Sequence, residues 1–183
     1  MRIALASIGL LALAACSSTP PEPPPPPAPV STAQQAAVVL SSASGSRVSG
    51  KLAIAPMGDG VHISGEVGGL APNGQFGFHV HEKGDCSAVD ATSAGSHFNP
   101  AASAHGRAGA GAHHAGDMDN IASNAEGVAT VNVHLRGVTL GGGALNDIAN
   151  RAVIVHAAPD DYHPQPTGNA GARLACGVIK VTR

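Results

Sequence analysis

The sequence predicts an all-β domain, a sandwich or barrel, on three observations. Short stretches alternate apolar and polar residues as half-buried antiparallel strands do. Pairs such as Asp59-Gly60 and Asn73-Gly74 punctuate them with turn chemistry. No segment sustains helical periodicity, so there is nothing to build a helical layer from.

The elements follow in order. Val38 to Leu40 is a short apolar run. Gly50 to Ile54 alternates, with Leu52 and Ile54 on one face. Gly60 to Val67 does the same through Val61, Ile63 and Val67. In Gln75 to His81, Phe76, Phe78 and Val80 share the face opposite His79 and His81. Gly127 to Leu135 places Val131, Val133 and Leu135 together, Ala152 to His156 is apolar until its final histidine, and Gly177 to Val181 closes the set. Ala144 to Asn150 has room for one short turn at most. Two long segments, Glu82 to Asn124 and Ala157 to Ala175, read as loops rich in Gly, Ala, Ser and His. Structureless loops of that length are uncommon in compact domains unless function or a cross-link organises them.

The front of the chain is not part of this fold. Met1-Arg2 is followed by an apolar run from Ile3 to Leu13, too short to span a bilayer and suited to a signal peptide, residues 1–15. Leu13-Ala14-Ala15-Cys16 resembles the bacterial lipobox, in which the Cys is diacylated and becomes the mature N-terminus. The alternative is an ordinary signal peptide cut nearby. Ser17 and Ser18 follow, with no Asp at the second position, a pattern that in enteric lipoproteins implies outer-membrane sorting. Residues 16–37 form the lipidated Cys and a tether, with Thr19 to Pro29 dominated by proline and therefore a semi-rigid extended spacer. About 145 residues, 38–183, remain for one domain with a substantial core.

Charged residues make up 12% of the chain, the net charge is −2 and aromatics are 2%. That balance, without a basic stripe, argues against nucleic acid as a partner. With Cys16 carrying lipid, Cys86 and Cys176 remain as a disulfide pair in an oxidising compartment; two free thiols are the alternative.

The histidines carry the chemistry. His79 and His81, at i and i+2, project from one face of a strand, and His97, His105, His114, Asp117 and His156 follow. Such a set of imidazoles suits copper or zinc. Any one of these histidines alone reads more simply as a surface or strand-end residue; the set does not.

The blocks Gly77-Phe78-His79-Val80-His81-Glu82, Ser93 through Pro100, His114-Ala115-Gly116-Asp117 and Gly168 through Ile179 resemble copper/zinc superoxide dismutase, over a stretch from about Val38 to the C-terminus. The resemblance implies a Greek-key β-barrel or sandwich of about eight antiparallel strands. Its two long loops would be a metal-binding and disulfide loop and an electrostatic loop. It implies one copper per chain on His79, His81, His97 and His156, and one zinc on His97, His105, His114 and Asp117, with His97 bridging both. His113, beside His114, is the rival zinc ligand. Asp160 matches the family's carboxylate linking a copper histidine to a zinc histidine, with Asp161 as rival. Arg173 matches the arginine that attracts the anionic substrate, and with His97 makes the catalytic pair. His62, His134 and His163 have no motif support and read as surface residues.

The implied reaction converts two superoxide anions and two protons to dioxygen and hydrogen peroxide, outside the cytoplasm. The segment Ala157 to Ala172 carries Asp160 and Asp161 but no Lys or Arg, a departure from the eukaryotic members. Steering charge would then come from Lys83, Arg107 or Arg151. A metal-buffering protein with little turnover and an inert surface β-domain are the rival classes; the first would not need Arg173, the second would lack ligands. Homodimer and monomer both stay open.

Overall fold

A computed structural model describes residues 28–183. The signal segment, Cys16 and most of the proline-rich stretch lie outside the described residues. The strands are β1 (Ala36–Ser42), β2 (Ser49–Met57), β3 (Gly60–Gly68), β4 (Gln75–Phe76), β5 (Phe78–His81), β6 (Ile121–Ala122), β7 (Ala129–Arg136), β8 (Ala152–His156), β9 (Arg173–Val178) and β10 (Lys180–Val181). One antiparallel sheet runs in the order β5-β8-β9-β1-β2-β3-β7, with β10 added beside β1. The short pair β4–β6 stands where the sheet curls round: β4 leads directly into β5, and β6 lies against β7. The expected all-β barrel is therefore the fold.

Alternation places the core. Leu52 and Ile54 of β2, Val61, Ile63 and Val67 of β3, and Val131 and Leu135 of β7 are all buried in one cluster, while Lys51, Ala53, Thr130 and Asn132 between them are exposed. β8 differs. All five of its residues are buried, because β5 and β9 flank it and loops cover its outer face.

The departures from expectation have physical reasons. The stretch Gln75 to His81 breaks at Gly77, where a β-carbon would stand 2.8 Å from Ala170 Cβ and 3.3 Å from His156 Cβ. The second long loop ends at Ala172, not Ala175. Arg173 to Cys176 have little apolar alternation, yet they pair with β8 on one side and β1 on the other. Ala144 to Asn150 forms turns, and the one short helical turn among the described residues is Thr92–Ala94. The end of the sequence-assigned tether is bonded to the domain. Ser31 Oγ accepts from Leu140 N–H, Thr32 and Ala33 donate to Leu140 O, and Gln34 and Gln35 donate to Arg183 O.

Cys86 and Cys176 are joined, with Cα atoms 5.7 Å apart and a sequence separation of 90. Closing a loop of that length stabilises the folded chain by about 4–5 kcal/mol in the chain-entropy picture. It ties the first long loop to β9, two residues past Leu174 and three past Arg173.

Candidate metal centre

β5 sets the site. Phe78 and Val80 fill the core, which turns His79 and His81 to the other face, where loops bury both. The free edge of β5 then captures the first long loop. Phe98 N–H donates to Val80 O, Val80 N–H to Gly116 O, and Gly116 N–H to Phe98 O. These bonds set His81 opposite His97 and His79 opposite Asp117. Gly116 is required there, since a β-carbon would collide with Val80 O. His156 arrives from the neighbouring β8, at a register shift after Val155 that aims its ring back toward β5.

Two groups result. The ligand atoms of His79, His81, His97 and His156 lie within 4.8 Å of one another, as do those of His97, His105, His114 and Asp117. The His79 and His97 ring centroids are 4.0 Å apart. His113 is not in either group; its Nδ1–H donates to His114 O, and it lines a groove with Met118 and Arg136.

Hydrogen bonds fix which nitrogen each ring turns inward. His79 donates from Nε2 to Asp160 Oδ2 (2.8 Å), His81 from Nδ1 to Gly95 O (2.9 Å), and His156 from Nδ1 to Gly171 O (3.2 Å). His105 donates from Nε2 to Asp160 Oδ1 (3.0 Å). The nitrogens left over are His79 Nδ1, His81 Nε2, His97 Nε2, His105 Nδ1, His114 Nδ1 and His156 Nε2, all buried with no hydrogen-bond partner. A buried polar atom without a partner costs about 1–3 kcal/mol. Their concentration at two points fits a pair of metal ions, nitrogen-rich for copper and three nitrogens plus a carboxylate for zinc. Asp117 sits against the second group, with Oδ1 2.7 Å from His97 Nδ1 and Oδ2 3.1 Å from His105 Nδ1.

The electrostatics keep His79, His81 and His156 neutral. Burial lowers His79 to about 4, opposed by its bond to Asp160. Burial and then the neighbouring His97 ring lower His81 to about 2, and burial and then His79 lower His156 to about 3. Burial works to raise Asp117, but the bonds from His97 and the His114 N–H override it and hold the carboxyl below its usual range. Asp160 behaves alike through His79, Tyr162 N–H and His105.

A pH dependence follows for the metal-free chain. The three histidines titrate lower when folded than when unfolded, so below about 6.5 the unfolded chain binds more protons and folding stability falls with falling pH. The loss runs from near 6.5 down through 4, 3 and 2 as each buried ring finally protonates. The metal-free melting temperature is expected to drop by on the order of 10 °C between pH 7 and pH 5, read by calorimetry. A flat profile would mean the rings are not buried neutral.

Arg173 pairs with His156 across β8 and β9. Its Nη1 donates to Ala91 O and its Nη2 to Gly95 O, both at 2.7 Å. Gly95 O therefore accepts from Arg173 and from His81, tying the guanidinium to a metal-site ring. Asp160 is buried and joins the two groups, whereas Asp161 is exposed and caps His163 N–H. Of the expected steering cations, Arg107 is paired with Asp119 at 2.8 Å and Arg151 lies over the Phe98 ring at 3.7 Å, bonded to Glu82 O. Lys83 is exposed. His62 bonds Asn132, and His134 bonds Met57 O and Asp59 on the outer face of the sheet.

Three residues here had no assigned role in the sequence. Asn120 clamps the Asp160 main chain, donating to its O (2.9 Å) and accepting from its N–H (2.8 Å). Gln165 does the same for His105. Gly168 packs against Asp160 and His105, where any β-carbon would intrude. Side-chain amides in polar loops carry no pattern; only Gly168, inside a recognisable block, left a trace.

A curled antiparallel barrel carrying two buried groups of candidate metal ligands that share one histidine is the frame of a two-metal protein. The family profile described as copper/zinc superoxide dismutase (SODC) matches residues 48–179. The chain belongs to the copper/zinc superoxide dismutase family. It is 41% identical over 136 residues to superoxide dismutase [Cu-Zn] 2 of Aquifex aeolicus, covering 73% of this chain and 80% of that protein. It is 41% identical over 143 residues to superoxide dismutase [Cu-Zn] of Caulobacter vibrioides, covering 75% and 82%. Among solved structures, a SOD-like protein from Bacillus subtilis superposes with a TM-score of 0.70 at 36% identity, covering 78% of this chain and 96% of that one. The clock protein EA4 gives 0.72 at 37%, covering 84% and 98%. The protein is thus an oxidoreductase acting on superoxide with copper and zinc. Its disulfide and its bacterial relatives fit an exported protein.

Proposed function

We propose that His79, His81, His97 and His156 hold one copper and His97, His105, His114 and Asp117 hold one zinc, and that this centre removes superoxide in the cell envelope. The observation that carries the assignment is the set of partnerless buried imidazole nitrogens, divided between two points, with His97 turning Nε2 to the first and Nδ1 to Asp117 of the second. Copper, when bound, supplies the one-electron couple by which one superoxide is oxidised to dioxygen and a second is reduced. Arg173 binds the anion: its guanidinium stays charged at any working pH and is aimed by the Ala91 and Gly95 carbonyls. His97 holds a proton at Nε2 between the two half-reactions and delivers it to the second superoxide, which takes its other proton from solvent and leaves as hydrogen peroxide. Asp160 orients His79 and His105 at once, so each ring keeps its inward nitrogen free of a proton.

The test is superoxide turnover of the loaded domain with copper and zinc counted on the same sample. Rapid turnover at one copper and one zinc per chain is expected. Full occupancy with turnover no better than free copper would make this a metal-buffering protein instead.

Residues 1–15 act as the signal peptide, and lipid on Cys16 holds residues 38–183 at the membrane, in the outer membrane by its sorting residues, with residues 16–37 between. The observation behind this is the Leu13-Ala14-Ala15-Cys16 motif followed by the proline-rich stretch. Cys16→Ser is expected to move the protein from the membrane to the soluble envelope fraction. Retention on the membrane in that variant would sink the anchor.

A further inference from the structure

The segment that carries His105 is poorly supported by its own backbone. Between Pro100 and His113 it forms no strand, and its main-chain bonds are single turns such as Ala102 N–H to Asn99 O and Ala110 N–H to Arg107 O. Among the described residues, the main-chain N–H and C=O of His105 have one partner between them, the side chain of Gln165. His105 N–H donates to Gln165 Oε1 at 2.8 Å, and Gln165 Nε2 donates to His105 O at 2.9 Å. Nε2 also reaches His163 O at 3.4 Å. Turning the amide over would set two acceptors and two donors face to face, so its orientation is fixed.

We propose that Gln165 is a positioning residue for His105, and that through it the 157–172 loop straps the zinc group shut; this rests on the zinc assignment above. A planar amide making both main-chain bonds of one residue acts as a short strand would, fixing where His105 sits and how it is turned. The same loop grips the other end of His105, because Asp160 Oδ1 accepts from its Nε2 at 3.0 Å. Only Nδ1 remains, facing Asp117 Oδ2 at 3.1 Å. For zinc to leave, Nδ1 must swing away, and the clamp on the His105 main chain opposes that swing. Gln165 itself is exposed, so its removal leaves no cavity in the core.

The experiment measures zinc release to a chelating dye from the copper- and zinc-loaded chain, beside the absorption spectrum of cobalt placed in the zinc site. Gln165→Met, which keeps length and loses both bonds, is expected to release zinc about tenfold faster and to alter the cobalt bands. Gln165→Glu keeps the acceptor for His105 N–H but sets a carboxylate oxygen against His105 O, so it too is expected to release zinc faster than the wild type. His163→Ala, in the same loop with an exposed side chain that bonds neither His105 nor Gln165, is expected to match the wild type. Release from Gln165→Met at the wild-type rate overturns the proposal. So does faster release matched by an equal loss of melting temperature in the metal-free chain, which would be general loosening. His105→Ala releasing zinc at the wild-type rate would overturn the ligand assignment itself, and is thereby distinguishable.

Discussion

Replacing His156 by alanine is expected to lower superoxide turnover on the order of a thousandfold or more while leaving the fold intact. His156 supplies one of the nitrogens facing the copper group, from β8, whereas His79 and His81 come from β5 and His97 from the first long loop. Losing it removes the only ligand that ties β8 to the others. The variant should therefore lose copper and keep zinc, because none of the zinc group is touched. The effect on the metal-free chain runs the other way. His156 Nε2 is buried with no partner, and its removal relieves that cost, offset by the lost bond from Nδ1 to Gly171 O. Melting of the metal-free variant at or above that of the wild type, with metal-loaded melting well below it, is the expected pair of results. A variant that keeps both copper and full turnover would remove His156 from the centre.

How much of this was legible in the sequence depends on the range over which each feature is written. Alternation within a strand is local, and the strands built on Leu52 and Ile54, on Val61, Ile63 and Val67, and on Val131 and Leu135 could be read directly. Arg173 to Cys176 could not. Its residues are small or charged, and it is a strand because β8 and β1 flank it, not because of any pattern of its own. The break at Gly77 is likewise invisible until Ala170 and His156 are known to press on it. At the site, His79, His81, His97 and His114 stand inside recognisable blocks, His105 and His156 lie outside them, and the structure brings the whole expected set together. His113 beside His114 and Asp161 beside Asp160 were ambiguous because neighbouring residues share a local context. What separates them is burial and direction: Asp160 is buried between two rings while Asp161 faces solvent. The clamps by Gln165 and Asn120 reach across 60 and 40 residues, and a lone side-chain amide gives no periodicity or spacing to announce such a reach. The steering expectation met a similar limit, since Arg107 and Arg151 are cations in sequence but are occupied by Asp119 and by Phe98 with Glu82 O.

Gly168→Ala is expected to do more damage than any other single methyl added to the 157–172 loop. Gly168 has φ +64°, a left-handed conformation that costs a residue with a side chain about 1–2 kcal/mol. That cost alone would be modest. The larger effect is steric, because the new β-carbon would fall inside the contact radius of Asp160 Oδ1 and 2.6 Å from both Asp160 Cγ and His105 Nε2. Neither neighbour can yield freely. Asp160 is held by Asn120 at its main chain and by His79 at its carboxylate, and His105 is held by Gln165. The carboxylate must leave the line between His79 and His105, freeing both rings to turn. Loss of an orienting carboxylate of this kind lowers metal affinity by about 10–100-fold, and here the loss falls on both metals. Gly171→Ala separates the two causes. Gly171 also has a left-handed φ, +78°, but the nearest atom to its β-carbon would be 3.7 Å away. It carries the backbone cost without the clash, and its carbonyl can still accept from His156. Gly171→Ala is therefore expected to melt slightly earlier with zinc and copper affinities near those of the wild type, and Gly168→Ala to lose affinity for both in competition titrations. Equal affinities in the two variants would mean that Asp160 does not hold the rings, and that the bond between the two metal groups runs through His97 and Asp117 alone.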